Sequence, residues 1–308
     1  MRNKWYALIA AMMMIALCLL VPSPALVEEW TPDLSRLTVI PLDAPAGYPP
    51  DEACYISDLA YEDPTISVRI EKDYYCDTPM FIARVRLADA SQLRTMMAAK
   101  YGSQRTVDAT KLAERGNAVL AINGDYYSYI STGLVTRQGV TYRKQSDSDL
   151  DILMIDTDGN FHIAKNIVPD TLREAYDSLG GSVEKGGRIV QAFTFGPALV
   201  ENGERAHEVF RRMDGGAVKP AQRMVIAQDG PLSYVIVCCE GPDDENSVGL
   251  TLEEIGQYML DLGVETAYNL DGGGSATMVF RGEKINAVVS NKTRALSDII
   301  YFCSGVAK

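Results

Sequence analysis

The sequence predicts an α+β fold: mixed, largely antiparallel sheets with a few packed helices, in a single domain behind an export signal. Three observations predict it. Short β-rich runs recur along the chain, at 67–72, 81–87, 119–123, 152–156, 191–195, 224–228, 234–239, 277–280 and 299–303. Two of them are followed by hairpin chemistry: Asp158-Gly159 after 152–156, and Asp229-Gly230 between 224–228 and 232–239. Helical periodicity is confined to isolated stretches, which argues against a regular strand–helix–strand repeat.

Taken in order, the chain opens with Arg2 and Lys4 before a 17-residue apolar run at 5–21, followed by the small residues Ser23-Pro24-Ala25. This is the layout of an export signal, and the run falls short of the ~20 residues that usually span a bilayer. Residues 1–25 therefore read as a signal peptide or a retained N-terminal anchor, with 5–21 as the membrane-anchoring run if retained. Cys18 follows bulky Leu17 inside the run, so a lipoprotein is not indicated. The expected location is extracellular, or anchored on the outer side of the cytoplasmic membrane. Seven of the 14 prolines precede residue 51, so 26–59 reads as a Pro-rich linker and 60–308 as the domain.

Two helices are expected. Residues 171–179 form a short amphipathic candidate. At 251–262, Thr251 and Glu254 make a capping-box pattern, Leu252, Ile255, Met259 and Leu262 share one face, and Gly263 stops the helix. Beyond the signal, five cysteines remain, an odd number that leaves at least one thiol without an intramolecular partner. Cys54 and Cys76 are candidates for a bridge. Cys238 and Cys239, strand neighbours on opposite faces, and Cys303 read as small apolar residues of buried strands.

Composition excludes several functions. The 308 residues carry a net charge of −12 and a pI near 4.7, which argues against a nucleic-acid partner. Only His162 and His207 occur, so HExxH and His-rich zinc sites are excluded, and no CxxC or GxSxG is present. Asp147, Asp149 and Asp151, and again Asp156, Asp158 and Asn160, alternate like the start of a calcium loop. Both lack the glycine at position 6 and the glutamate at position 12, so they read as solvated loop and turn residues.

Three segments carry more polar residues and glycines than folding requires. In the first, an apolar strand runs into Asn123-Gly124-Asp125-Tyr126-Tyr127. A strand end with an Asn-Gly turn accounts for it alone; the functional reading puts Asn123 and Asp125 at the mouth of a sheet, with aromatic rings lining a sugar-sized cleft. The second, Asn269-Leu270-Asp271-Gly272-Gly273-Gly274-Ser275, places three consecutive glycines between strands. Each costs ~0.5–1 kcal/mol against alanine in regular structure. Three glycines let a ligand approach the backbone, and successive N–H groups can make a concave anion site. Asp271 beside such a site suits a scissile bond adjacent to a phosphate. No Lys follows the glycines, so this is not a P-loop. The third comprises Arg223 and Arg294, whose planar forks suit phosphate.

Together these segments, with Phe195-Gly196-Pro197-Ala198 and the closing Arg294…Ser297-Asp298, resemble the phosphodiester glycosidases over roughly residues 60–303. The mammalian relative removes N-acetylglucosamine from a phosphodiester on mannose. Two departures stand out: Gln222-Arg223-Met224 replaces Pro-Arg-Thr, and Asp125 with two tyrosines replaces a Gly-Phe-Phe string. The resemblance implies an exported hydrolase cleaving the glycosidic bond of a sugar-1-phosphodiester, in envelope or exopolysaccharide metabolism. It assigns catalysis to Asp271, then Asp125. Substrate binding falls to Asn123, Tyr126, Tyr127, Gly196, Arg223, Asn269, Gly272, Gly273, Gly274, Ser275, Arg294 and Asp298. No cofactor is required and no metal ligands are assigned, a divalent cation at Asp271 being left open. A non-catalytic carbohydrate-binding envelope protein and a metal-assisted phosphodiesterase are the alternative readings.

Overall fold

β-Branched and aromatic runs fold into three antiparallel sheets, each with one face on a shared interior and the other covered by a helix. A computed structural model describes residues 30–145, 150–165, 168–211, 215–242, 247–287 and 293–307. The expected export signal at 1–25, and Asp147 and Asp149, lie outside the described residues. Among the described residues, no helix is long and apolar enough to cross a membrane.

The large sheet has nine strands. Its centre is the pair of hairpins Ile66–Tyr75/Thr78–Leu87 and Arg223–Gly230/Ser233–Cys239, extended by Thr266–Asn269 and Ala198–Glu201. The second sheet has five strands, among them Gly133–Arg137, Ile152–Asp156 and Ile189–Thr194. The third, also of five, places Ala118–Asn123 between Met278–Phe280 and Asp298–Cys303. Both Asp-Gly hairpins form as expected, pairing 152–156 with Phe161–Ala164 and Arg223–Gly230 with Ser233–Cys239.

Period-2 alternation sets the layers. Tyr234, Ile236 and Cys238 enter the interior shared by the three sheets, while Val235, Val237 and Cys239 face the opposite way. Cys238, Cys239 and Cys303 are therefore the buried strand residues expected of them. Burying side chains such as Phe193, Phe280 and Phe302 contributes roughly 1.5–3 kcal/mol each. Helix α1 (Ala109–Gly116) packs Leu112 and Ala113 on the third sheet, α2 (Pro169–Ser178) packs Leu172 and Tyr176 on the second, and α3 (Leu252–Asp261) packs Ile255 and Met259 on the large one. The Thr251 and Glu254 capping box is formed, and Gly263 beyond it has φ +73°.

Two expectations are corrected. Residues 32–59 are not a free linker but belong to the compact unit spanning Pro32–Lys308. Ile40 is buried, Tyr48 pairs with Ser304, and the buried Arg94 guanidinium donates to the carbonyls of Pro41 (3.2 Å) and Ala44 (2.8 Å). Proline-rich backbone offers few N–H donors but keeps its carbonyls, and Arg94 satisfies them. Cys54 and Cys76 are both free thiols rather than a bridge.

Candidate active site

Strand ends from all three sheets converge on one side of the shared interior. Asn123 ends its strand fully buried, and its Nδ2 donates to the Asp271 carbonyl at 2.7 Å while its Oδ1 accepts the Thr277 N–H at 3.1 Å. Asn123 thus ties the first polar segment to the glycine loop. Asn269, also fully buried, donates from Nδ2 to the Gly196 carbonyl at 2.8 Å and fixes the turn that carries Phe195.

The glycine loop is folded back on its surroundings. Gly273 N–H donates to the Gln222 carbonyl at 2.8 Å, and the amides of Ser275 and Ala276 donate to Gly272 and Gly273. The run is therefore not a bare row of free amides, as the sequence suggested. A Cβ on Gly272 would stand 2.5 Å from the Gln222 carbonyl oxygen, and Gly273 has φ +57°. Two of the three glycines are thus required by the local backbone.

In front of this loop lies a cavity of about 560 Å³. Its lining contains six expected residues: Tyr126, Arg223, Asp271, Gly272, Gly273 and Arg294. Asp271 is 8% exposed. Arg294, exposed, donates from Nη1 to Ser275 Oγ at 3.2 Å. Arg223 donates to main chain from Nε to Leu250 O at 2.9 Å and from Nη2 to Gly216 and Lys219 O at 2.8 Å each. It clamps the 216–221 segment while itself lining the cavity. Tyr126 stands edge-on to Phe195, centroids 4.7 Å apart, and to Tyr129 at 6.4 Å.

Eight expected residues stand behind the lining: Asn123, Asp125, Tyr127, Gly196, Asn269, Gly274, Ser275 and Asp298. Asn123 and Asn269 bind backbone instead of offering amides to a sugar. Tyr127 turns inward, 4% exposed. Asp125 accepts from Tyr127 N at 3.2 Å, Thr194 N at 2.9 Å and Arg137 Nη2 at 2.7 Å. Asp298 accepts from Arg137 Nε at 2.7 Å through Oδ2; its buried Oδ1 has no hydrogen-bond partner among the described residues and lies over Gly124.

Arg137 is the residue that sequence reasoning missed, along with Tyr129, Phe195 and Lys219 on the lining. Nothing around Thr136-Arg137-Gln138 signals it, because its partners lie 12 and 161 residues away. Lys219-Pro220, a short step before Arg223, and the Tyr126-Tyr127-Ser128-Tyr129 cluster were visible signals. Burial works against the charge on Arg137, but Asp125 and Asp298 more than restore it, and its pKa is raised. Asp298 is pushed up by its own burial; Arg137 opposes this, and Asp125 and Asp271 add to it. Among the described residues, no three His, Cys, Asp or Glu side chains converge as a metal site.

The arrangement offers one carboxylate at an aromatic-walled cavity, with two exposed cations, Lys219 and Arg294, on the same lining. That can hold an anionic group beside a ring while a carboxylate acts between them. The chain matches the phosphodiester glycosidase family over residues 116–303. Among solved structures it is similar to the zebrafish N-acetylglucosamine-1-phosphodiester α-N-acetylglucosaminidase catalytic domain auto-inhibited by its pro-peptide. That match has a TM-score of 0.60 and 15% identity over 84% of this chain and 87% of the other. A hypothetical protein from Synechocystis has a TM-score of 0.52 at 15% identity, covering 80% of this chain and 64% of the other. No curated protein matches the sequence.

Proposed function

Because the chain belongs to the phosphodiester glycosidase family, we propose that it hydrolyses the bond between the anomeric carbon and the phosphate oxygen of a sugar-1-phosphodiester, of the N-acetylglucosamine-1-phosphodiester class. The observation that carries this reading is the shared lining of Asp271, Lys219, Arg294, Tyr126 and Phe195 in one cavity.

In this reading the sugar ring lies against Tyr126, and the phosphate sits between the Arg294 and Lys219 side chains, in front of the Gly272–Gly273 turn. Their charge stabilises the second negative charge that the phosphate gains on leaving. Asp271 assists at the anomeric carbon, as nucleophile or by taking a proton from attacking water. The C1–O bond to phosphate breaks and a C1–O bond to water forms. The products are the free sugar, a phosphomonoester of the alcohol and one proton. Phosphate leaves readily as an anion, so the mechanism asks for no general acid. Asp125, with three donors on its carboxylate, is a positioning residue rather than the second reacting carboxylate. Asp298 and Arg137 hold the strand ends beneath Asp271. Export by residues 1–25 would place the enzyme where envelope glycans are its substrates.

The test incubates the chain from Leu26 onward with an N-acetylglucosamine-1-phosphodiester, with and without EDTA, and identifies products by mass spectrometry. Free sugar in both arms is the expected result. Sugar-1-phosphate would mean P–O cleavage and overturn the mechanism; loss of turnover with EDTA would place a divalent cation in the reaction. Binding without turnover would make the protein a carbohydrate-binding module.

A further inference from the structure

His207, one of the chain's two histidines, does not line the cavity, yet its contacts reach two segments that do. Its Nε2 lies 2.6 Å from Asp151 Oδ2, across 56 residues of sequence. The side-chain exposures are 21% for the histidine and 4% for the aspartate. The same Oδ2 accepts the Ala198 N–H at 2.8 Å. A carboxylate only accepts, so Nε2 is the ring nitrogen that carries hydrogen.

From Asp151 the contacts run to the turn at 195–198, which carries Phe195 on the cavity lining. Phe195 N–H donates to Tyr268 Oη at 2.8 Å, the Gly196 carbonyl accepts from Asn269 Nδ2 at 2.8 Å, and Ala198 N–H meets Asp151. From His207 the contacts run to the other segment. Arg205 Nε donates to the His207 carbonyl at 2.6 Å, and its guanidinium lies 4.5 Å from the Phe210 centroid. Phe210 and Ala217 share one buried cluster with Leu252 and Ile255 of α3, and the Ala217 carbonyl accepts the Leu252 N–H at 3.0 Å. Beyond Ala217, Arg223 holds the carbonyls of Gly216 and Lys219. The segment that brings Lys219 to the lining is thus anchored by His207 on one side and by Arg223 on the other.

A buried polar pair stabilises little beyond what apolar packing would, but it admits one geometry. Here that geometry relates the aromatic lining at Phe195 to the cation at Lys219. We propose that Asp151 and His207 are positioning residues that set the distance between the ring-binding and phosphate-binding parts of the cavity. The use of that distance rests on reading the cavity as a sugar-phosphodiester site; the coupling of the two segments does not. A ligand that spans both parts gains from their spacing, because its second contact is intramolecular once the first is made. Sugar and phosphate offered separately have no such gain.

The test compares the full native chain with His207→Ala and with His207→Gln, whose amide nitrogen reaches where the ring Nε2 stood. Amide NMR without ligand reads the coupling. His207→Ala should shift the signals of Ala198 and Lys219 together, and His207→Gln should return both toward the native positions. Calorimetric titration with N-acetylglucosamine, inorganic phosphate and N-acetylglucosamine-1-phosphate reads its use. His207→Ala should weaken the linked ligand about tenfold, while each separate piece stays within about twofold. If the alanine chain does not fold, Asp151→Asn, which keeps an acceptor for Ala198 and loosens the hold on His207, is measured in its place. Shifts confined to Ala198 or to Lys219, equal losses for all three ligands, or no recovery with His207→Gln overturn the assignment. Paired shifts in a chain whose native form binds none of the three ligands would support the coupling while removing the sugar-phosphodiester reading.

Discussion

Arg137 donates to Asp298 at 2.7 Å beneath the cavity, and its other arm reaches Asp125 at the same distance. Both pairs are almost wholly withdrawn from water, with side-chain exposures of 2% for the arginine and 0% for each carboxylate. One guanidinium therefore faces two buried carboxylates, with Asp271 close enough to act on Asp298 as a third. Such a group cannot be fully ionised at low cost, because each desolvated charge without its own partner is expensive. Arg137 keeps its charge, and burial pushes the Asp298 carboxyl upward.

A stability profile follows from that shift. Burial, reinforced by Asp125 and Asp271 and opposed by Arg137, pushes Asp298 up to about 7. A carboxyl raised in the folded state contributes stability that is complete below its unfolded pKa, near ~4, and is lost as pH rises through the folded value. The native chain should therefore lose thermal stability relative to Asp298→Asn between pH 4 and pH 8. The asparagine keeps an acceptor for Arg137 and has no proton to lose. Melting temperatures of both proteins across that range check it; a constant difference would remove the assigned proton.

Removing the guanidinium should be far more damaging than removing the proton. Arg137→Met leaves Asp125 and Asp298 buried without their shared cation, a change that costs about 3–5 kcal/mol. It also removes the Nη1 bonds to the Thr136 and Ala192 carbonyls and the stacking on Phe193 at 4.3 Å. Urea unfolding measures the loss. A loss below about 1 kcal/mol would show that the carboxylates find water or each other instead.

Much of the scaffold was legible because burial writes itself into β-branched runs. The strands at 152–156, 234–239 and 299–303 are apolar on both faces, since each sheet is covered on both sides. The edge strands Tyr55–Ser57 and Val140–Gln145 were not legible, as one side faces water and their residues are polar or exposed. Helix α1 escaped notice because its buried positions are mostly small, Ala109, Ala113 and Gly116, although Asp108 caps it through Thr110 N–H. At the site, the Asp271–Gly273 loop was legible as a rare string, whereas the roles of Asn123 and Asn269 were not. A sequence shows that an amide is present but not whether it meets ligand or main chain, and both of these meet main chain.

The glycine loop should tolerate no methyl group at Gly272. An added Cβ would lie 2.5 Å from the Gln222 carbonyl oxygen, a backbone atom that cannot rotate aside. Gly272→Ala should shift the loop carrying Asp271 and reduce kcat on a sugar phosphodiester by about tenfold or more. Gly273→Ala meets no neighbour within 4 Å and pays only for its φ of +57°, about 1–2 kcal/mol. Kinetics and thermal melts of the two variants separate a displaced loop from a strained one.

Asp271 should separate from Asp125 in the same assay. Asp271→Asn keeps size and polarity but cannot take a proton or attack carbon, so kcat should fall about 10²–10⁴-fold with the fold intact. Asp125→Asn leaves a weaker acceptor for Arg137 and the Thr194 amide, so unfolding should register it more than kcat does. Single-turnover rates with denaturation curves decide it; an active Asp271→Asn enzyme would remove the assigned catalytic carboxylate.

The two arginines of the lining should fail in opposite ways. Arg294 is exposed on the lining and, among the described residues, its side chain donates to Ser275 Oγ at 3.2 Å, so Arg294→Ala should leave stability nearly unchanged. If it meets the phosphate, its loss should raise KM and flatten the dependence of kcat/KM on salt, since a screened attraction has been removed. Arg223 is 5% exposed and donates to the carbonyls of Leu250, Gly216 and Lys219. Arg223→Met removes the guanidinium from the Leu250 carbonyl and from the part-buried Gly216 and Lys219 carbonyls, at roughly 1–3 kcal/mol for each that water does not reach. It should unfold more readily and lose activity at low and high salt alike. Salt titrations of kcat/KM alongside urea curves distinguish an arginine that holds substrate from one that holds the wall. Salt dependence lost with Arg223 but kept without Arg294 would reverse the two assignments.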